Sequence, residues 1–92
     1  MASSPQTRLP RLIPAEIVSH EGKPWASVTF KGERHTLVVR PDDEVFFLQK
    51  MQAFDVTERA IPGWLLCDVE YKKINETDYE VMVMYLEENP NA

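Results

Sequence analysis

Ninety-two residues, 43% hydrophobic and 27% charged, suit one globular domain with a modest core. No apolar run approaches the roughly 18 residues a membrane-spanning helix needs, and the one cysteine excludes an internal disulfide or a cysteine-rich metal site. The net charge of −5 is uneven: residues 1–40 hold six basic and three acidic side chains, residues 41–92 hold four and twelve. That balance disfavours direct nucleic-acid binding, which needs clustered Lys and Arg. It suits simple solubility, the sharper reading being a dipolar molecule whose acidic side meets a basic partner surface.

Met1 to Arg11, MASSPQTRLPR, has two prolines, small polar residues and no apolar periodicity. It is expected to be a flexible N-terminal arm over 1–11, ahead of a single domain over 12–88 and a tail over 89–92. The arm has no apolar signal-peptide centre, and with the lone cysteine it points to a reducing, cytoplasmic setting. Leu12 to His20 reads as a first strand, at a sheet edge because Pro14 removes a ladder donor. Glu21-Gly22-Lys23-Pro24 reads as a turn.

Trp25 to Arg40 reads as a hairpin about a two-residue Gly32-Glu33 loop, in which glycine takes the positive φ of a type II′ turn. That register sets Phe30 against His35, Val28 against Leu37 and Ala26 against Val39, with the apolar members on one side. Pro41-Asp42-Asp43-Glu44 opens a helix with Asp42 as N-cap. The helix runs to about Phe54 with Phe47, Leu48, Met51 and Phe54 on one stripe and Val45 beside it. Phe46 falls on the opposite side. Asp55 to Ile61 reads as a loop or extra turn, and Pro62-Gly63 as the turn that follows.

The clearest pattern lies in Gly63 to Glu87. Two strands, Trp64 to Ile74 and Tyr79 to Glu87, flank the turn residues Asn75-Glu76-Thr77-Asp78. Leu65, Cys67, Val69 and Tyr71, then Tyr79, Val81, Val83 and Tyr85, alternate with period two and form the expected core face. The predicted order is β-β-β-α-β-β. It describes a small two-layer α+β domain, a twisted antiparallel sheet with one helix packed on it, the alternative being a small, partly open barrel.

No catalytic constellation stands out. The three glycines are isolated and build no phosphate-cradling loop. His20 and His35 have no metal-ligand spacing to Cys, His, Asp or Glu, and His35 reads as a packing residue. Cys67 reads as a buried, inert thiol. Asp42, Asp43 and Glu44 are accounted for by helix capping, and Asp68 with Glu70 by a solvated strand face. No enzyme activity, cofactor or metal is expected.

The even positions of the last hairpin are left over. Trp64, Leu66, Met82, Met84 and Leu86 are apolar, and Asp68, Glu70, Lys72 and Glu80 are interleaved with them. A three-residue Glu76-Thr77-Asp78 loop gathers the apolar members into one patch. A two-residue loop instead sets Met82 and Met84 beside Val69 and Tyr71, and a helix laid over the even side covers them. Apolar patches with charged rims mark interfaces, and methionine suits an adaptable one. The expected protein-binding residues are therefore Trp64, Leu66, Asp68, Glu70, Glu80, Met82, Met84 and Leu86, with Phe46 on the helix. The expected function is a non-enzymatic subunit, adaptor or inhibitor that docks onto a larger protein, with a homodimer as a further arrangement and no membrane partner. The alternative is a nucleic-acid-mimicking inhibitor of a DNA- or RNA-handling protein, of the kind carried by phages or mobile elements. Asp68, Glu70, Asp78, Glu80, Glu87 and Glu88 would supply its charge.

Overall fold

The structure is a computed structural model and describes residues 5–54, 61 and 63–87. Its strands are β1 (Glu16–Ala26), β2 (Lys31–Arg40), β3 (Trp64–Lys73) and β4 (Tyr79–Glu87), and its helices are α1 (Pro5–Leu12) and α2 (Glu44–Ala53). The four strands form one antiparallel sheet in the order β1-β2-β4-β3. The sheet is open, so the two-layer α+β expectation holds and the barrel alternative does not.

The β1–β2 hairpin corrects the predicted one. Its turn is Ser27 to Phe30, where Ser27 N–H donates to Phe30 O at 2.8 Å and Phe30 N–H donates to Ser27 Oγ at 3.2 Å. Residues 21–24, read as a turn, continue β1, and Gly32 and Glu33 lie inside β2. The later part of the predicted first strand, the predicted turn and Trp25-Ala26 thus form one long strand, while Ser27 to Phe30, read as strand, is the turn. His35, Leu37 and Val39 pair with Gly22, His20 and Ile17. This register buries Leu37 and Val39 and leaves Val28 and Phe30 exposed at the tip. Pro24 is tolerated because β1 is an edge strand and a missing donor there breaks no ladder.

The expected arm is helical over Pro5–Leu12. Pro5 suits a first helical position, where its missing N–H is no loss. Pro5 and Leu9, four residues apart, are buried on the side facing the sheet, and Ile13 follows them into the core. Eight residues are too few for a helix stable by itself, so burial of Leu9 holds it.

Helix α2 begins one residue later than read. Asp43, not Asp42, is the N-cap, accepting from Phe46 N–H at 3.0 Å. Phe47, Met51 and Phe54 are buried and Leu48 packs beside them, as the stripe requires. Val45 and Phe46 are exposed, with the Lys50 ammonium 5.3 Å from the centre of the Phe46 ring.

Phe47 is the pivot of the core. Its ring lies 4.8 Å from that of Tyr79 and 6.5 Å from that of Tyr71. Tyr79 Oη–H donates to Glu44 Oε2 at 2.7 Å, and Lys73 Nζ reaches the same oxygen at 2.7 Å. The first turn of α2 is thereby pinned over the odd positions of β3 and β4. Tyr79, Val81, Val83 and Tyr85 are all buried there, as alternation requires.

On β3 the alternation breaks. A β-bulge between Leu66 and Asp68 absorbs Cys67, so Leu66 pairs with Tyr85 while Asp68 pairs with Met84. One extra residue reverses the facing of everything before it. Leu66 is buried, Trp64 packs on the core, and Cys67 is exposed. Four expectations change with the bulge: Trp64 and Leu66 leave the outer patch, and Leu65 and Cys67 leave the core face.

Candidate functional site

Both helices pack on the inner face of the sheet, and among the described residues no element covers the outer face. The registers define that face row by row, because paired residues share a side. Arg34, Met84 and Asp68 form one row across β2, β4 and β3. Thr36, Met82 and Glu70 form the next, then Val38, Glu80 and Lys72. At the other end lie Gly32, Leu86 and Leu65. A side chain at Gly32 would collide with Tyr85 O and come within 2.9 Å of Trp25 Nε1, so glycine lets the Trp25 indole cover this end of the sheet.

The pairing of β3 with β4 is even with even, as the patch requires, although the connection is five residues, Ile74 to Asp78, rather than three. Asn75 Oδ1 accepts from Thr77 N–H at 2.9 Å and Asp78 N–H at 2.8 Å, which fixes the turn. The alternative in which a helix covers the even side is excluded, since α2 sits on the odd side.

Met82 and Met84 form the floor of a depression of about 270 Å³, walled by Arg34 on one side and Asp68 and Glu70 on the other. Arg34 Nη2 reaches Met84 Sδ at 4.0 Å. Arg34, Asp68 and Glu70 have no ion-pair partner among the described residues, whereas Glu80 is held by Lys72 at 3.5 Å. Of the expected binding residues, Asp68, Glu70, Glu80, Met82, Met84 and Leu86 therefore share the outer face. Leu65 joins them in place of Trp64 and Leu66. Phe46 lies apart, on the far side of α2.

A second cluster escaped the sequence reading. His35, fully buried, places Nε2 at 2.8 Å from Glu33 Oε1 and Nδ1 at 2.7 Å from His20 Nε2. Gln6 Nε2 stands 3.5 Å from His20 Nδ1, which ties the chain of groups to α1. A Cβ at Gly22 would come within 2.6 Å of both His35 Cε1 and Gln6 Oε1, so glycine there makes room for the ring under the helix. Burial, then the neighbouring His35, pushes His20 below the ordinary histidine value, while Glu33 acts the other way. The signal was absent because His20 and His35 are fifteen residues apart and meet only through the true β1–β2 register.

Elsewhere, Arg40 donates to Asp78 at 2.8 Å through Nε and 3.4 Å through Nη2. These bonds, with donations from Asn75 Nδ2 and Thr77 Oγ1, hold the Asp78 carboxyl down to about 2. Local desolvation pushes the Cys67 thiol up, which leaves it a weak nucleophile. Among the described residues, no three His, Cys, Asp or Glu side chains cluster to hold a metal ion. No described helix is long and apolar enough to cross a membrane.

Fold and site together define a small two-layer α+β protein with an open sheet, one face of which no described element covers. Compared with known proteins, the chain matches no family model, no curated protein and no solved structure.

Proposed function

We propose that this protein is a non-enzymatic binding module that docks on another protein through the outer face of its sheet. The supporting observation is the methionine-floored depression whose charged walls, Arg34 on one side and Asp68 with Glu70 on the other, have no ion-pair partner among the described residues. Sheets that keep one face in water normally make it polar throughout. A central apolar strip of Met82, Met84, Leu86 and Leu65 with charges at its sides is the composition of an interface.

Nucleic-acid mimicry has less behind it. Asp78 and Glu80 are paired with Arg40 and Lys72, and Glu88 lies outside the described residues. What remains is short of a phosphate-like row.

The test is Met82→Lys combined with Met84→Lys. Both side chains sit on the uncovered face, so the double variant keeps its circular dichroism spectrum and a cooperative melt while losing association. Unfolding or aggregation of the variant would place the methionines in the core and end the docking reading.

A further inference from the structure

The rows of the outer face have a symmetry that names an occupant. Strand β4 lies between β2 and β3, with Arg34 on its β2 side, Asp68 and Glu70 on its β3 side, and β1 beyond β2. Consider a two-fold axis lying in the plane of contact, parallel to β4 and above it. The operation exchanges the two sides and keeps the height along the strand. Met84 then meets Met84, Met82 meets Met82 and Leu86 meets Leu86 of the other copy. Arg34 falls opposite Asp68, beside Glu70, and the same contact is made twice. Thr36 falls opposite Glu70 and Val38 opposite Lys72. Leu65 comes over Gly32, against the Trp25 indole that covers it. One like-charge meeting arises, Glu80 with Glu80, and Lys72 beside each copy neutralises it at 3.5 Å.

We infer that the outer face takes a second copy of this chain, stacked sheet on sheet about an axis along β4, with Arg34 of each copy seated against Asp68 and Glu70 of the other. The inference rests on the docking reading above and commits it to one occupant. A two-fold interface must be self-complementary, and this face is: Arg34 and the carboxylates Asp68 and Glu70, without ion-pair partners among the described residues, stand on opposite sides of an apolar strip, in the same row or adjacent ones. Three strands, β2, β4 and β3, overlap under this operation while β1 overhangs; about 4.8 Å apart and some nine residues long, they give a footprint on the order of 400 Å² in plan. Side-chain relief brings that near the lower end of specific interfaces, about 600 Å² per partner. The usual twist between stacked sheets, about 30°, moves the flanking pairs by a few ångströms, within the reach of an arginine side chain.

Charge reversal in two separate chains tests this. One variant is Arg34→Glu. The other is Asp68→Lys with Glu70→Lys. Sedimentation equilibrium of the wild-type chain should give twice the 10.7 kDa chain mass. Each variant alone sets like charges against each other twice and should dissociate at least about thirtyfold more weakly, with circular dichroism unchanged. Mixed one to one, the variants restore an opposite-charge contact at both ends, and a heterodimer should form where neither homodimer does. A wild-type chain that sediments at its monomer mass at all accessible concentrations would overturn the inference. So would variants that remain dimeric alone, or a mixture that fails to pair. If the wild type is monomeric while Met82→Lys with Met84→Lys stays folded, the second copy is wrong and the docking reading survives. If that double variant unfolds, the docking reading falls as well.

Discussion

His20 Nε2 lies 2.7 Å from His35 Nδ1, and this contact bolts the edge strand β1 to β2 beneath helix α1. The proton directions follow from the neighbours. Ionised Glu33 can only accept, so His35 Nε2 carries its proton and His35 Nδ1 accepts from His20 Nε2–H. The nearby Tyr85 phenol, 6.4 Å between ring centres and pushed up to about 12 by burial, stays neutral. A second proton on His20 would face the Gln6 amide and a desolvating surround.

That arrangement makes α1 docking sensitive to acid. The folded value of His20 is below its unfolded value of about 6.5. Its contribution is therefore complete above about pH 6.5 and lost as the pH falls through the folded value. Amide exchange in α1, corrected for its intrinsic pH dependence, should quicken between about pH 7.5 and pH 5 relative to β4. His20→Gln should remove most of that difference. Equal protection at both pH values would rule the latch out.

Helix α1 should matter to stability. Leu9 has no exposure and sits in the same core as Phe47 and Val81. Leu9→Ala should cost about 2–5 kcal/mol by denaturant titration. A change below about 0.5 kcal/mol would mean that the segment behaves as the tail its composition suggests.

The two adjacent phenylalanines of α2 should behave oppositely. Phe47→Ala empties the space against Tyr71 and Tyr79 and should cost about 3–5 kcal/mol. Phe46 is 45% exposed, so Phe46→Ala should stay within about 1 kcal/mol. Comparable losses at both sites in chemical denaturation would contradict the packing.

Asp78 should contribute to stability in acid. Hydrogen bonds from Arg40 first, then Asn75 and Thr77, hold it at about 2, below the unfolded value of about 3.9. Its contribution is present above about pH 4 and lost as the pH falls towards about 2. Asp78→Asn should lower the unfolding midpoint at neutral pH and flatten its dependence across that window. A variant that titrates like the wild type would show that other carboxylates govern acid unfolding.

How much of this was legible in the chain itself differs by element. The 3.6-residue spacing of Phe47, Met51 and Phe54 and the period of two through Tyr79, Val81, Val83 and Tyr85 fixed α2, β4 and the surfaces they bury. Both are local properties, because a residue's side of a helix or strand follows from its place in the repeat. The even positions Met82, Met84 and Leu86 were left over by the same rule, and their partners Glu70 and Asp68 were identified with them. Tertiary structure decided everything that depends on which strand lies beside which. The bulge at Cys67 has no compositional mark, yet it turns Trp64 and Leu66 inward. The β1–β2 turn moved from Gly32-Glu33 to Ser27–Phe30 because the longer pairing buries Leu37 and Val39, a gain that the local turn preference does not contain. The α1 helix forms where two prolines argued for a tail because Leu9 finds a core built by residues distant in the chain. His20 and His35 meet for the same reason: periodicity assigns a side chain to a face, and only the long-range register chooses its neighbour.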